Sequence, residues 1–212
     1  FDFLSETFLP AISTGGFRGS CKLMKHGFYP AGGGKMTFSV EPRQEASQAI
    51  ELCRPEKEFQ IHARIYTARL PAQIARRQEK LLLESALDIA DVEHIEAKDS
   101  DGPGNCVMIR LLGSGRRTTL FTTFGQRGKP SEKVVGEVVS LAEDFLASGA
   151  AADRFLADQL LIYMAILKSG AFTTSGLPKH LLTNIEVIKE FVPVEFSTEK
   201  QGRFHRVSCQ SA

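Results

Sequence analysis

The sequence lacks the features that mark several specialised classes of protein. Among its 212 residues no apolar run approaches the ~20 residues that a membrane-spanning helix needs, and no signal peptide is visible. Its four cysteines are far apart and form no CxxC pair, which argues against a zinc site and against the disulfide framework of a secreted domain. We therefore expect free thiols that are buried or partly buried, in a protein of the cytoplasm, or of the nucleus if the source is eukaryotic.

A strong excess of one charge is also missing. Lysine and arginine number 26 and aspartate and glutamate 25, which gives a formal net charge of +1. A protein that coats a long stretch of nucleic acid usually carries a marked basic excess, so a nucleic-acid contact made by this chain should be small, such as one chain end. The composition, 42% apolar and 24% charged, is that of a globular protein with one large domain or two small ones.

Apolar residues recur at helical spacing in some segments and alternate in others, which predicts a mixed α/β (α+β) fold. The character changes near residue 55, and we expect the elements from there to about residue 147 to form a compact α/β module. One helix, at 153–168, is apolar nearly all round, which predicts burial on most sides. The predicted helices lie at 1–13, 70–87, 131–146, 153–168 and 179–191. The predicted strands lie at 19–25, 35–40, 58–67, 92–97, 107–112, 118–124, 192–198 and 204–209.

Neither of two common glycine-rich nucleotide-binding loops is present, since the GxxxxGK(S/T) and GxGxxG spacings do not occur. A different glycine-rich segment at 27–34 predicts a tight turn. Its three consecutive glycines at 32–34 serve either a backbone that needs positive φ or close approach, or a direct contact with a substrate.

Asp158 and Gln159 interrupt the most apolar helix of the chain. At 100° per residue, Asp158 lies opposite the apolar stripe that begins at Leu156, and its neighbours on that side are apolar too. A buried carboxylate needs a partner or an unusual pKa, which would point to function. The alternative is that Asp158 is the N-cap of a helix that starts one residue later.

His180 lies beside a helix start under two different interpretations. In one, Thr183 and Glu186 form a capping box and the helix begins near residue 184; in the other, Pro178 is the first helical residue. Either way the free N–H groups and the helix dipole attract phosphate there, so a nucleophilic imidazole is one interpretation and a structural histidine the other. The remaining histidines show no metal-ligand spacing.

Four segments, in this order, resemble the RNA 3′-terminal phosphate cyclases. They read HGFYPAGGG at 26–34, DGPGN at 101–105, FLADQL at 155–160 and HLLTN at 180–184. The resemblance covers essentially the whole chain, corresponds to the C-terminal portion of the family's proteins, and is closer to bacterial than to animal members around His180. The chain begins with Phe1, which agrees with the expectation that it is part of a longer protein.

The resemblance implies a fold and a domain arrangement. The family's large domain consists of repeated βαβαββ-type units related to those of enolpyruvyl transferases, with a smaller α/β domain inserted in the last repeat. On that basis we expect residues 1–54 and 148–212 to belong to the large catalytic domain and residues 55–147 to form the insert.

The resemblance also implies an ATP-dependent ligase that turns an RNA 3′-phosphate end into a 2′,3′-cyclic phosphate. His180 is the expected nucleophile, which accepts AMP from ATP, and a divalent metal, Mg²⁺ or Mn²⁺, is the expected companion of the triphosphate. The expected ATP contacts are Phe155, Leu156, Ala157, Asp158 and Gln159. The expected partners are therefore ATP and an RNA 3′-phosphate terminus. We expect no membrane partner, and the oligomeric state stays open.

Three other functions compete with this one. A cyclase-like ribosome-biogenesis protein would share the fold without being an enzyme, but such relatives lack the nucleophilic histidine. An enolpyruvyl transferase would have neither the glycine signature nor a covalent nucleotide step. A module that only binds RNA is disfavoured by the near-neutral charge and by the lack of an exposed aromatic platform.

Overall fold

The computed structural model of the protein describes residues 1–42, 48–114 and 117–212. These residues form the mixed α/β pattern that the sequence predicts. The helices, after a π-helical segment at Phe3–Phe8, are α1 (Leu9–Ser13), α2 (Ala72–Leu83), α3 (Ser131–Ser148), α4 (Arg154–Leu167) and α5 (Lys179–Phe191). The strands are β1 (Arg18–Lys25), β2 (Lys35–Glu41), β3 (Ile50–Leu52), β4 (Phe59–Ala68), β5 (Ile89–Glu96), β6 (Gly104–Gly113), β7 (Thr118–Phe124), β8 (Ser169–Thr174), β9 (Val194–Gln201) and β10 (Phe204–Ser211). No helix in this part of the chain is long and apolar enough to cross a membrane.

The chain forms two compact units. The first unit comprises Phe1–Asp2, Cys21–Ser39 and Glu58–Glu143. The second unit comprises Phe3–Ser20, Val40–Lys57 and Asp144–Ala212. The glycine-rich turn belongs to residues 1–54, which the resemblance assigns to the large catalytic domain. It lies in the same compact unit as most of the expected insert. The assignment of 55–147 as an insert in a catalytic domain stays a prediction.

The first unit is built on a four-stranded sheet with the order β5-β4-β6-β7. β4 pairs in parallel with β5 and antiparallel with β6, and β6 pairs antiparallel with β7. Five consecutive residues of β6, beginning at Asn105, are buried, so both faces of this strand are covered. α2 packs against β4 and β5, and Val134 and Val138 of α3 are buried as their spacing predicts.

The second unit is built on a four-stranded sheet with the order β3-β8-β10-β9. β8 pairs in parallel with β3 and antiparallel with β10, and β10 pairs antiparallel with β9. α4 packs against β8, β10 and α5. The core between them includes the fully buried side chains of Ile50, Leu160, Met164, Phe172 and Val207.

The sequence does not predict β3 or β8, although β8 lies inside the sheet. Five of the six β8 residues are buried, so the strand shows no alternation of apolar and polar residues. Gly170 in β8 has φ of 139°, and a Cβ there would lie 2.9 Å from the Ile50 carbonyl oxygen of β3. Close backbone approach therefore explains the glycine that breaks the strand pattern.

The prediction that α4 is buried on most sides is wrong for one of its faces. Phe155, Ile162 and Ile166 are 43%, 53% and 51% exposed. They are seven and four residues apart, so they share one side of the helix. Asp158 lies along this open side and not in an enclosed apolar environment.

All four cysteines are free thiols, as expected. Cys106 and Cys209 are buried, and Cys21 and Cys53 are partly buried. Burial raises the pKa of Cys106 to about 12 and that of Cys209 to about 11. These two thiols are therefore protonated and unreactive near neutral pH.

Candidate active site

α4 begins directly after a buried capping residue. Asp153 Oδ1 accepts hydrogen bonds from the backbone N–H groups of Phe155 (2.8 Å) and Leu156 (3.1 Å). Asp153 is the N-cap, so the interpretation of Asp158 as N-cap is wrong. The cap lies directly before the apolar helix pattern, which is the signal that could have identified it.

Asp153 is also an unusual carboxyl group because its other oxygen is buried. Oδ2 has no hydrogen-bond partner within the residues that the structure describes. Burial raises the pKa of Asp153 to about 6, against the opposing effect of the two backbone N–H bonds.

The five residues predicted to contact ATP divide between the two sides of α4. Phe155, Asp158 and Gln159 follow an i, i+3, i+4 spacing and lie on its accessible side. The side chains of Leu156 and Ala157 are buried in the core of the second unit. Phe155 and Gln159 are exposed and Asp158 is partly buried, whereas the buried side chains of Leu156 and Ala157 offer no surface to a nucleotide.

α5 places His180 in its first turn. The helix begins at Lys179, and Pro178 is its N-cap with an extended ψ of 154°, not its first helical residue. The capping-box interpretation is wrong, because Thr183 lies within the helix and its hydroxyl donates to the Lys179 carbonyl oxygen (3.0 Å). The His180 side chain is 58% exposed.

The packing of α5 against α4 brings Asp158 to His180. His180 Nδ1 lies 3.1 Å from Asp158 Oδ1, and Asn184 Nδ2 donates to the same oxygen (2.8 Å). Asn184 is one helical turn after His180, so both side chains face α4. The sequence identifies Asn184 only as part of the HLLTN motif and does not predict this contact.

This arrangement distinguishes the two ring nitrogens of His180. His180 Nδ1 and Asp158 Oδ1 are within ion-pair distance, and a carboxylate at that position favours the tautomer that has its proton on Nδ1. The lone pair is then on Nε2. A carboxylate that orients an imidazole in this way is the arrangement that nucleophilic and general-base histidines use.

The other two motifs meet in the first unit. His26 donates its backbone N–H to Asp99 Oδ2 (2.9 Å), and its ring Nδ1 lies 2.7 Å from Asp99 Oδ1. The bonds from His26 hold the pKa of Asp99 below its usual range. Lys25 donates to Asp101 Oδ1 (2.7 Å), so the glycine-rich turn is tied to the polar loop at 98–103.

Glycine is required where these two segments touch. A Cβ on Gly104 would lie 2.0 Å from the Phe28 ring, and a Cβ on Gly33 would lie 2.1 Å from Asp101 Oδ2. Gly33 also has φ of 72°, which disfavours other residues. The structural interpretation of the glycine run therefore has direct support at Gly33.

Comparison with known families agrees with the four motifs. The model of the family described as RNA 3′-terminal phosphate cyclase matches residues 1–198 of this chain. The chain belongs to this family. Each of the four motifs falls within the matched residues.

Three bacterial relatives named RNA 3′-terminal phosphate cyclase illustrate the similarity. The protein of Koribacter versatilis is 39% identical over 100% of this chain and 59% of its own length. That of Salmonella enteritidis is 36% identical over 98% of this chain and 61% of its own length. That of Pseudomonas aeruginosa is 34% identical over 100% of this chain and 62% of its own length. The chain thus spans roughly three fifths of these cyclases.

Proposed function

We propose that the protein containing this chain is an ATP-dependent ligase that converts an RNA 3′-phosphate end into a 2′,3′-cyclic phosphate. Membership of the cyclase family supports this reaction class. The observation that carries the mechanism is the exposed His180 whose Nδ1 faces Asp158. We also retain the cytoplasm as the expected location and a relation of the fold to enolpyruvyl transferases.

In the first step, His180 Nε2 attacks the α-phosphorus of ATP. A phosphorus–nitrogen bond forms, the bond to the pyrophosphate oxygen breaks, and pyrophosphate leaves with the bonding electrons. The ring becomes more positive as its lone pair is used, and the Asp158 carboxylate stabilises that charge through Nδ1–H. The product is a histidine–AMP phosphoramidate.

In the second step, an oxygen of the RNA 3′-phosphate attacks the same phosphorus and His180 leaves, which gives an RNA–AMP anhydride. In the third step, the neighbouring 2′-hydroxyl attacks the RNA phosphorus, loses its proton and releases AMP. The ring that remains is the 2′,3′-cyclic phosphate. These are phosphoryl and nucleotidyl displacements, so positioning and charge stabilisation should dominate.

The accessible side of α4 suits the nucleotide. Phe155 offers a half-exposed aromatic ring, with the Arg154 guanidinium carbon 5.0 Å from the ring centroid, for contact with the base. Gln159 supplies a polar side chain. The second carboxylate oxygen of Asp158 can accept a hydrogen bond from a hydroxyl of the ribose. We keep Leu156 and Ala157 as neighbours that position these residues.

We expect Mg²⁺ or Mn²⁺ to arrive with the triphosphate. Within the described residues no group of three or more histidine, cysteine, aspartate or glutamate side chains could hold a metal ion. These described residues therefore do not form a metal site of their own.

The deciding experiment uses full-length protein and ATP labelled at the α-phosphate. We expect an acid-labile covalent label on the wild type and none on His180→Ala, because that variant lacks the attacking nitrogen. His205→Ala, which removes a histidine from β10, is the matched control and should label normally. Label that survives His180→Ala would refute the nucleophile, and a folded wild type without label would favour the non-catalytic ribosome-biogenesis relative.

A further inference from the structure

The first unit contains a cavity that has no residue of the predicted adenylylation site. Its volume is about 910 Å³, which is at the upper end of the range for small-molecule sites. The apolar walls come from the residues around the start of α2, the loop before β6 and the start of α3. They are formed by Leu70, Ile74, Pro103, Pro130 and Val134.

The floor of the cavity is polar, but its side-chain amides already form hydrogen bonds with each other. Gln78 and Asn105 exchange two hydrogen bonds between their side-chain amides, at 2.7 Å and 2.9 Å, and both are buried. Gly125 closes over this pair, since a Cβ there would lie 2.4 Å from Asn105 Oδ1. The floor is thus a preformed surface, and groups that could hold a ligand by charge or stacking must come from the rim.

The rim carries cations and one open aromatic ring. Arg77, Arg127 and Lys129 line the cavity, and no acidic residue does. Arg77 is paired with Glu132 and Lys129 with Glu137, whereas Arg127 is exposed and has no ion-pair partner in the described part of the chain.

Tyr29, from the tip of the glycine-rich turn, is 96% exposed beside this rim. One exposed aromatic ring is therefore available at this rim, although a single ring is not the aromatic platform whose lack disfavours a module that only binds RNA. A tip position explains why the sequence pattern did not reveal it.

From these features we propose that the cavity binds one nucleotide of a single-stranded RNA. The base stacks on the Tyr29 ring and against the apolar wall, and Arg127 contacts a phosphate. Aromatic stacking beside a cation is the common way in which proteins hold unpaired bases. The proposal rests on the proposed function in that RNA is the substrate, and it adds a second RNA contact apart from His180.

Binding of a fluorescent ten-nucleotide RNA with a 3′-phosphate to full-length protein tests the proposal by anisotropy. We expect Tyr29→Ala to weaken binding about 5-fold or more, the loss of one stacked base, and Tyr29→Phe to stay within about 2-fold because the ring is kept. Arg127→Ala should weaken binding by roughly 3- to 10-fold. The matched control is Arg76→Ala, since Arg76 is exposed on α2 but does not line the cavity. Wild-type affinity in both Tyr29→Ala and Arg127→Ala would overturn the proposal.

A second readout does not depend on the variants folding. RNA carrying one 4-thiouridine is photocrosslinked to the wild type, and the crosslinked peptide is identified. Crosslinks to the peptides that contain Tyr29 or Arg127 support the proposal. Their absence at every thiouridine position overturns it, as does full competition by free AMP, which would indicate a mononucleotide site.

The two proposals fail in different ways. If the α-phosphate label forms on His180 but RNA does not bind in the cavity, only the cavity proposal is wrong. If no label forms, the adenylylation mechanism is wrong, whatever the crosslinks show.

Discussion

Among single residues, Asp158 is the one on which the reactivity of His180 should depend most. Asp158→Asn keeps the size of the side chain and an oxygen that can accept from Nδ1–H, but removes the negative charge that stabilises the ring during attack. We expect the rate of α-phosphate labelling to fall by about 10²- to 10⁴-fold, as when a histidine loses its orienting carboxylate elsewhere, with little change in stability.

The control for that substitution is Glu186→Gln. Glu186 is an exposed carboxylate on the same helix as His180, and its loss should leave the labelling rate unchanged. Asp158→Asn that labels at the wild-type rate would show that the contact with His180 is only structural.

Asp153 gives a prediction about pH. Its pKa is raised to about 6 in the folded state, above the ordinary value near 4. Between these two pH values the unfolded chain has lost a proton that the folded chain still holds, so stability falls as pH rises from about 4 to about 6 and is then level. The decrease that this one group contributes is on the order of 3 kcal/mol.

Urea unfolding of wild type and Asp153→Asn at pH 4.5, 5.5 and 7 tests this prediction. Asparagine can still cap α4 but does not titrate, so the wild type should lose stability relative to the variant as pH rises. Other titrating groups cancel in that difference. A difference that stays constant from pH 4.5 to 7 would contradict the buried-carboxyl interpretation.

At the level of helices and strands, the sequence predicts best where one face of an element is open. α2 and α3 have this form, and α5 is predicted at its observed bounds because its apolar residues repeat at helical spacing. β8 was missed because it is buried on both sides and lacks alternation. β3 was missed because three residues are too few for a pattern.

In the candidate site, too, local sequence patterns identify individual residues but not the tertiary contacts between them. His180 and Asp158 could each be selected from the sequence, and the first turn of a helix was correctly expected for His180. Their contact depends on how α5 packs against α4, which no local pattern contains. For the same reason the environment of Asp158 was misjudged, since the openness of one side of α4 is a tertiary property.

For the whole chain, the charge balance bears on the proposal that it contacts RNA. The chain has a net charge of +1, and the cationic groups that line the cavity of the first unit are few, namely Arg77, Arg127 and Lys129. A few phosphate contacts, and not an extended positively charged surface, should therefore account for the salt dependence of RNA binding.

The slope of log affinity against log salt concentration measures this directly. Each phosphate contact with a single strand contributes about −0.7 to this slope, and the cavity proposal assigns one such contact, to Arg127. Arg127→Ala should make the slope shallower by about 0.7, whereas Tyr29→Ala should lower the affinity without changing the slope because the phenol ring is uncharged. Arg76→Ala serves again as the control and should match the wild type. A slope steeper than about −4, or one that Arg127→Ala leaves unchanged, would mean that the RNA backbone is held mainly by other parts of the protein.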